Sequence, residues 1–414
     1  MSKSEAYKIN IHGMLYQAVF WLGFCTYVSF MIATLIDYGW AANTAAGAIT
    51  AMSVIVVFTQ PIYGYITDRY LSEKKLSILL LVLTTILLVL LPFSLRFGNH
   101  LMVLMNMVGI SVTGMQIAGL MDAWVVGLKQ EIETVNYGLI RGAGSLAFAL
   151  SAQIAGVVTI YFGHSARLWI GSGFLMLAVF VALSFRPARR FNQNGEKKKS
   201  QLGGLETLKL IFSSKQYCLL LGVAFFLILS SASMSMILQL LIPEFGGSTA
   251  QIGSAFAFKA GSEVPFMFLM AFFLKKIGFK KLLFFCSAVF VIRMFITMSV
   301  GTVNGLIYVQ LLQGLTFAIL LPASMGYLSQ IIDERVRATA VTIFSAIITS
   351  FTVIIGNLII SLLLTMGFAA QVALNIFVFT ALIGFTLTIY GMIRKLWDAN
   401  KASNKHNDAY EGDC

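Results

Sequence analysis

Charge is what this 414-residue sequence has least of: Asp, Glu, Lys and Arg together make up 11% of it, less than half the roughly 25% usual in soluble domains. A chain so poor in charge and 58% hydrophobic cannot wrap its apolar residues in a polar surface, which excludes a soluble globular domain. Cysteine is scarce too. Cys25, Cys218, Cys286 and Cys414 are scattered, three of them inside apolar runs, so neither a disulfide framework nor a zinc spacing is present. His12, His100, His164 and His406 fall near the ends of apolar runs or in the tail. No H-E-x-x-H and no phosphate-cradling G-x-x-x-x-G-K occurs. The expectation is a protein that is not an enzyme and holds no cofactor.

What the sequence has instead is apolar length. Runs of 20 or more residues recur, each enough to cross about 30 Å of hydrocarbon as a helix. The first, 13–36, is too long for a signal-peptide core and no small-residue cleavage site follows it, so it is expected to stay as a helix. Apolar runs against polar breaks predict spans near 13–36, 43–66, 76–95, 100–126, 137–161, 166–185, 216–240, 249–274, 282–300, 303–330, 338–363 and 368–393. The predicted class is therefore an all-α polytopic membrane protein, with twelve transmembrane helices in two six-helix pseudo-repeats around a central cavity. The predicted divisions are an N-terminal bundle (1–185), a basic linker (186–215), a C-terminal bundle (216–393) and a polar tail (394–414).

Lys and Arg set the orientation. With both termini inside, Arg96 and Arg167 are the only outside basic residues, and Arg141, Lys259 and Arg293 fall within spans. The rest lie in segments facing the cytoplasm, as positive charge requires. The net charge of +12 is thus topological, and the Lys197–Lys199 run suits anionic lipid rather than nucleic acid.

Charged turns recur at an offset of roughly 200 residues, as two inverted halves around a midplane site would have them. GYITDRYLSEKK (64–75) is matched by FLKKIGFKK (273–281), and KQEIETVNYGLIRG by IDERVRATAVTIF. The stretch QPIYGYITDR (60–69) resembles the G-x-x-x-D-R loop of the major facilitator superfamily, with Gly64, Asp68 and Arg69 in place. GSEVPFMF (261–268), the VIRMF piece around Arg293, QLLQGLTFA (310–318) and RATAVTIFSA (337–346) resemble its oligosaccharide and nucleoside proton-symporter branch, the lactose-permease-like group. The loop departs from the family pattern after Arg69, and its second-half counterpart carries Lys275 and Lys276 where the acid–base pair would be.

Ionisable groups inside spans are costly and mark function or pairing. Asp122, Arg141, Lys259, Glu263 and Arg293 lie deep, and Asp37 lies near the outer end of span 1. Three acids against three bases suggests pairing. Asp122 and Arg141 each sit roughly 7 Å in from the same boundary by helical rise, so they can touch. A carboxylate that accepts and a guanidinium that donates in a fork suit hydroxyl recognition; a gating ion pair is the alternative. Lys259 and Glu263 are one helical turn apart and share a face. Arg293 reaches the same depth, and two bases around one acid would hold Glu263 ionised.

The resemblance implies further roles. Gly138 to Arg141 matches the family's G-x-x-R, which makes Arg141 a sugar-binding arginine with Asp122 as its acid. Phe148 occupies the place of a sugar-stacking tryptophan. Gln313 and Thr316 stand where the branch handles protons, and neither titrates, which leaves Glu263 or Asp122 for coupling, or no coupling at all. Tyr27, Gln239 and Gln313, with Tyr16, Gln17, Asn106, Gln116, Gln153, Gln310 and Asn357, are candidate polar lining. Gly64, Asp68 and Arg69 are expected to form a gating loop whose partners include DERVR (333–337).

The expected function is proton-coupled uptake of a small neutral solute (sugar, oligosaccharide or nucleoside) by a monomer in the bacterial cytoplasmic membrane, with both termini inside. The expected partners are that solute, the proton and the lipid bilayer. Efflux by the same fold, or a non-transporting receptor, are the alternatives.

Overall fold

The computed structural model describes residues 3–131, 135–184, 204–333 and 336–397. Among these residues there are helices and turns and no strand, as a bilayer demands of backbone groups that cannot bond to water. The helices are α1 (Lys3–Val28), α2 (Met31–Asp37), α3 (Ala42–Arg69), α4 (Glu73–Arg96), α5 (His100–Thr113), α6 (Ile117–Glu131), α7 (Tyr137–Ser184) and α8 (Gly204–Ser213). They continue as α9 (Lys215–Ala232), α10 (Met234–Glu244), α11 (Thr249–Ile277), α12 (Phe279–Ser299), α13 (Val303–Val309), α14 (Gln313–Ile331), α15 (Arg337–Ala346), α16 (Thr352–Thr365) and α17 (Val372–Ile393).

Among the described residues, ten helical segments are long and apolar enough to cross a membrane. A count of twelve requires two further steps: dividing α7 at Gly163 and including α11. Gly163 has φ 78° and ψ 173°, a conformation open essentially only to glycine, and there the chain reverses, so the predicted spans 137–161 and 166–185 are its two arms. α11 carries Lys259, Glu263, Lys275 and Lys276.

Side-chain caps start several helices. The Asn99 side chain accepts from the N–H groups of Leu101 and Met102 at the head of α5, and Thr302 Oγ1 accepts from the Gly305 N–H beside α13.

Five predicted spans are not single α-helices; one of them, 338–363, passes through a π-helical turn at Ile347–Phe351 between α15 and α16. Span 1 breaks between α1 and α2, and span 7 at Ser233 between α9 and α10. Spans 4 and 10 tighten into 3-10 turns at Gly114–Gln116 and Gln310–Leu312. Four of the five interruptions thus fall in the first and fourth span of each half, repeating the internal duplication in three dimensions. Interrupted helices free backbone groups that neighbouring side chains must satisfy. At the first break, the N–H groups of Ile32 (2.9 Å) and Ala33 (3.4 Å) donate to Gln239 Oε1 of α10 in the opposite half.

Asn10 Oδ1 accepts from the Asn136 N–H at the start of α7, and Gln216 of α9 donates to the Leu396 carbonyl just past α17. These bonds mark one end of the molecule, called here the terminal end. At the far end one apolar core runs through both halves, from Phe30, Leu35 and Ala152 to Ile237, Leu241, Ala255 and Phe256. At the terminal end the C-terminal half has a separate core around Tyr217, Phe290 and Phe344. The N-terminal half has a small cluster of its own there, of Val125, Leu128, Val135 and Ile140. The halves are thus fused at the far end and parted at the other. Their closest approach lies between α7 and α11. A Cβ added at Gly156 would come within 2.8 Å of the Thr249 carbonyl, and one at Gly253 would strike the Ala152 carbonyl.

Two predicted boundaries shift. The segment assigned to the linker contains the helix α8, while 185–203 lie outside the described residues. Residues 394–397, assigned to the polar tail, fold back on the bundle: Trp397 is buried and its indole donates to the Thr388 carbonyl at 3.1 Å. Residues 398–414 lie outside the described residues.

Candidate functional site

The site is built from side chains that the parted terminal end leaves accessible. On the N-terminal side, Arg141 Nε lies 3.8 Å from Asp122 Oδ2, and the two side chains keep 25% and 34% exposure. An ion pair with this much exposed surface is open to a polar partner. Asp122 Oδ1 also accepts from Gln17 Nε2 at 3.2 Å, and Gln17 Oε1 accepts from the Trp21 indole at 2.7 Å. Arg141 lies over the Trp21 ring at 4.6 Å and donates to Ser145 Oγ at 3.2 Å. Phe148 packs edge-on against Trp21, with centroids 5.9 Å apart. α1, α6 and α7 therefore present a carboxylate, a forked donor, an amide and two aromatic rings on one wall.

The opposite wall comes from α10, α11, α12 and α14. Arg293 is fully buried and donates to Gln313 Oε1, to Gln310 Oε1 at 2.9 Å and to Thr316 Oγ1 at 3.4 Å. Gln313 Nε2 passes the interaction on, donating to Glu263 Oε1 at 3.0 Å. Lys259 Nζ donates to Ser235 Oγ of α10 at 3.1 Å. Glu263 is one turn from Lys259 on α11 and is joined to Arg293 through Gln313.

Several expectations need correction. Lys259 and Glu263 share a face but form no ion pair, because Ser235 at the α9–α10 break takes the ammonium. Arg293 joins Glu263 only through Gln313, whose amide fits between them. The expected triad is therefore an acid bridged to a buried base by an amide, with the lysine to one side. Tyr27 does not line the cavity: it is fully buried, and its hydroxyl would lie 2.8 Å from a Cβ added at Gly114 in the break of span 4. Gln239 spends its amide on the backbone of α2 and on the Ser235 carbonyl, so it holds the halves together rather than facing the cavity. Tyr16 bonds Ser77 and Gln116 bonds Thr59 within the N-terminal half, and Asn357 donates to Ser53 across the halves.

Asp37 pairs with His164, not with an intramembrane base. Arg167, assigned to an outside loop, is 1% exposed and belongs to the same cluster. In the gating loop, nothing lies within 4 Å of a Cβ added at Gly64. Arg69 stays exposed against its own helix, 4.9 Å over the Tyr65 ring, while the Asp68 side chain lies outside what is described. Residues 334–335 of DERVR are likewise outside the described residues.

Sequence reasoning missed Trp21 as a site residue. The available signal was its position one turn after Gln17 in a chain with only five tryptophans.

Among the described residues no group of three or more His, Cys, Asp or Glu is placed to hold a metal. The chemistry on offer is neutral-solute recognition: carboxylates accept from hydroxyls, the guanidinium donates, and the rings cover an apolar face.

The profile of the MFS_1 like family matches residues 19–387. The chain is 26% identical over 307 residues to a maltose permease of Geobacillus stearothermophilus, covering 74% of this chain and 75% of the permease. It is 23% identical over 347 residues to a raffinose permease of Escherichia coli, covering 80% of each. Among solved structures, the nucleoside transporter NupG superposes with a TM-score of 0.72 at 16% identity, covering 91% of this chain and 98% of that one. A bacterial homolog of the human lysosomal transporter Spinster, inward-facing and unoccupied, superposes with a TM-score of 0.65 at 11% identity, covering 96% and 98%.

Proposed function

The chain belongs to the MFS_1 like family, and from that membership we propose that it takes up a small neutral hydroxylated solute, a sugar, oligosaccharide or nucleoside, by proton-coupled alternating access. The observation that carries this reading is the part-exposed Asp122–Arg141 pair at 3.8 Å in one half, with Glu263 held by the Gln313 amide in the other. A solute held between them contacts both bundles at once, so its binding energy favours the state in which they approach. Asp122, Arg141 and Gln17 take hydroxyls on one side, Glu263 and Gln313 take them on the other, and Trp21 with Phe148 covers a ring face. The sugar permeases among the relatives support the solute class.

The positive-inside rule places the terminal end in the cytoplasm, so an opening at that end is an inward-facing state of a protein in the cytoplasmic membrane. Glu263 is the central carboxylate that links solute to proton. One chain supplies both walls, and a monomer suffices. The test is counterflow of labelled maltose, raffinose and uridine in proteoliposomes. Accumulation of one of them supports the reading, and a protonophore that abolishes net uptake while sparing counterflow supports the coupling. Tight binding without counterflow would make the protein a receptor.

A further inference from the structure

The cluster that joins α2 to the reversal in α7 has no role in the solute site, and its polar atoms are closely packed against one another. The Thr34 hydroxyl donates to the Phe30 carbonyl at 2.7 Å, so its proton is spent. Arg167 Nη1 donates to Thr159 Oγ1 at 3.0 Å and reaches His164 Nδ1 at 3.1 Å, and Nη2 donates to Thr34 Oγ1. A guanidinium only donates, and Thr34 Oγ1 lies 3.0 Å from the same Nδ1, so in the neutral His164 ring with its proton on Nε2 it is Nδ1 that accepts from Arg167. The Nε2–H then points at Asp37 Oδ2, with which it is in contact. His164 is therefore held between an anion and a cation, Nε2 facing Asp37 and Nδ1 facing Arg167 and Thr34.

A proton added at Nδ1 could turn to Thr34 Oγ1, but it would set an imidazolium 3.1 Å from the buried guanidinium, a like-charge contact that favours displacement of Arg167. The other ionisable groups around the imidazole are Tyr38, whose ring centroid is 6.2 Å away, and Cys25, which lies within electrostatic range of Arg167. Glu244 lines the same far-end cavity of about 500 Å³ as Asp37. The Asp37 side chain is 56% exposed and gives water a path to the buried ring.

This cluster also touches what closes the far end. Arg167 stacks at 4.8 Å on Phe30, whose ring lies 6.3 Å from Phe256 of the C-terminal half. The two amides after Met31 in α2 are those that bond Gln239 across the halves. We propose that His164 with Asp37 is a second proton-binding site, reached from the far end, and that proton binding there releases Arg167 and unlocks the contact between the halves at α2. The proposal rests on the transport reading above and adds to it: a proton taken from outside opens the outside.

The test uses the full chain with Cys218→Ser and Cys414→Ser, leaving the buried Cys25 and Cys286, and with Ala33→Cys as reporter in proteoliposomes. Labelling by a membrane-impermeant maleimide is measured from outside at pH values either side of about 6.5, the ordinary histidine midpoint. Rates are corrected for thiolate content with a model thiol, and the protein lacking Ala33→Cys serves as blank. The corrected rate is expected to rise about tenfold on acidification. His164→Gln, whose amide can accept from Arg167 and donate to Asp37, is expected to remove that response. Asp37→Asn, at an exposed position that leaves packing intact, is expected to cut it at least about fivefold. A pH-independent rate in the parent, or an unchanged response in both variants, overturns the proposal. Counterflow in the same vesicles separates the two readings: counterflow with a flat labelling profile sinks only this site, whereas absence of counterflow for every solute tried sinks the transport reading.

Discussion

The amide of Gln313 donates to the Glu263 carboxylate at 3.0 Å, and the same amide accepts from the buried Arg293. Its orientation is thereby fixed, and it couples a base that cannot reach the cavity to an acid that can. Gln313→Leu would leave Arg293 short of an acceptor and Glu263 without its donor. Stranding buried charged partners costs about 3 kcal/mol, so thermal unfolding in detergent should show a clear loss of stability. A midpoint unchanged from the parent would mean that the bridge does not hold in solution.

Arg141→Lys keeps the charge but loses the fork and the flat face that lies on Trp21. A lysine is a point donor, so solute affinity should fall at least about tenfold while the unfolding midpoint barely moves. Equilibrium binding of whichever solute counterflow identifies would measure this, and parent-like affinity would remove Arg141 from the site.

Trp21→Ala tests the residue that the sequence did not flag. Losing the cation–π contact and the ring wall should cost about 1 kcal/mol or more, which is roughly a fivefold weakening. Phe148→Ala should have the smaller effect, because its ring meets Trp21 edge-on. The reverse ranking would identify Phe148 as the stacking ring.

Glu263→Gln preserves the hydrogen bond to Gln313 after an amide flip but cannot bind or release a proton. Gradient-driven uptake should lose its dependence on pH while counterflow persists at reduced rate. An intact pH profile would pass the coupling role to another group.

Gly253→Val would drive a side chain into the Ala152 carbonyl, where α7 and α11 meet most closely. The far end could not close, and counterflow should drop about tenfold or more in a protein that still folds. Parent-like counterflow would show that this contact is not made during the cycle.

The sequence made the class, the duplication and the Asp122–Arg141 pair legible, because these follow from run length, offset and depth along a helix. It could not show which way a side chain points around the helix axis. Tyr27 and Gln239 are polar residues at plausible depths, yet one faces a helix break and the other crosses to the opposite half. The breaks themselves were hidden as well. Those at Ser29–Phe30 and Ser233 carry no proline or glycine, and the first is sustained by a side chain some 200 positions away. Arg167 read as a loop cation because a reversal at Gly163 looks like a surface turn; burial of the residues just after it is a tertiary fact.

The bond from Gln239 to α2 reads main chain, not side chains. Substitutions at the apolar positions of Met31–Asp37, apart from Thr34 and Asp37, can therefore accumulate without erasing it, so long as the helix begins where it does. Gln239 itself has no such latitude. Its oxygen must reach across while its own N–H is anchored at Ser235, and neither a glutamate nor a leucine does both. Variation across relatives should thus be lopsided, with a permissive stretch on one side of the seam and a single intolerant glutamine on the other.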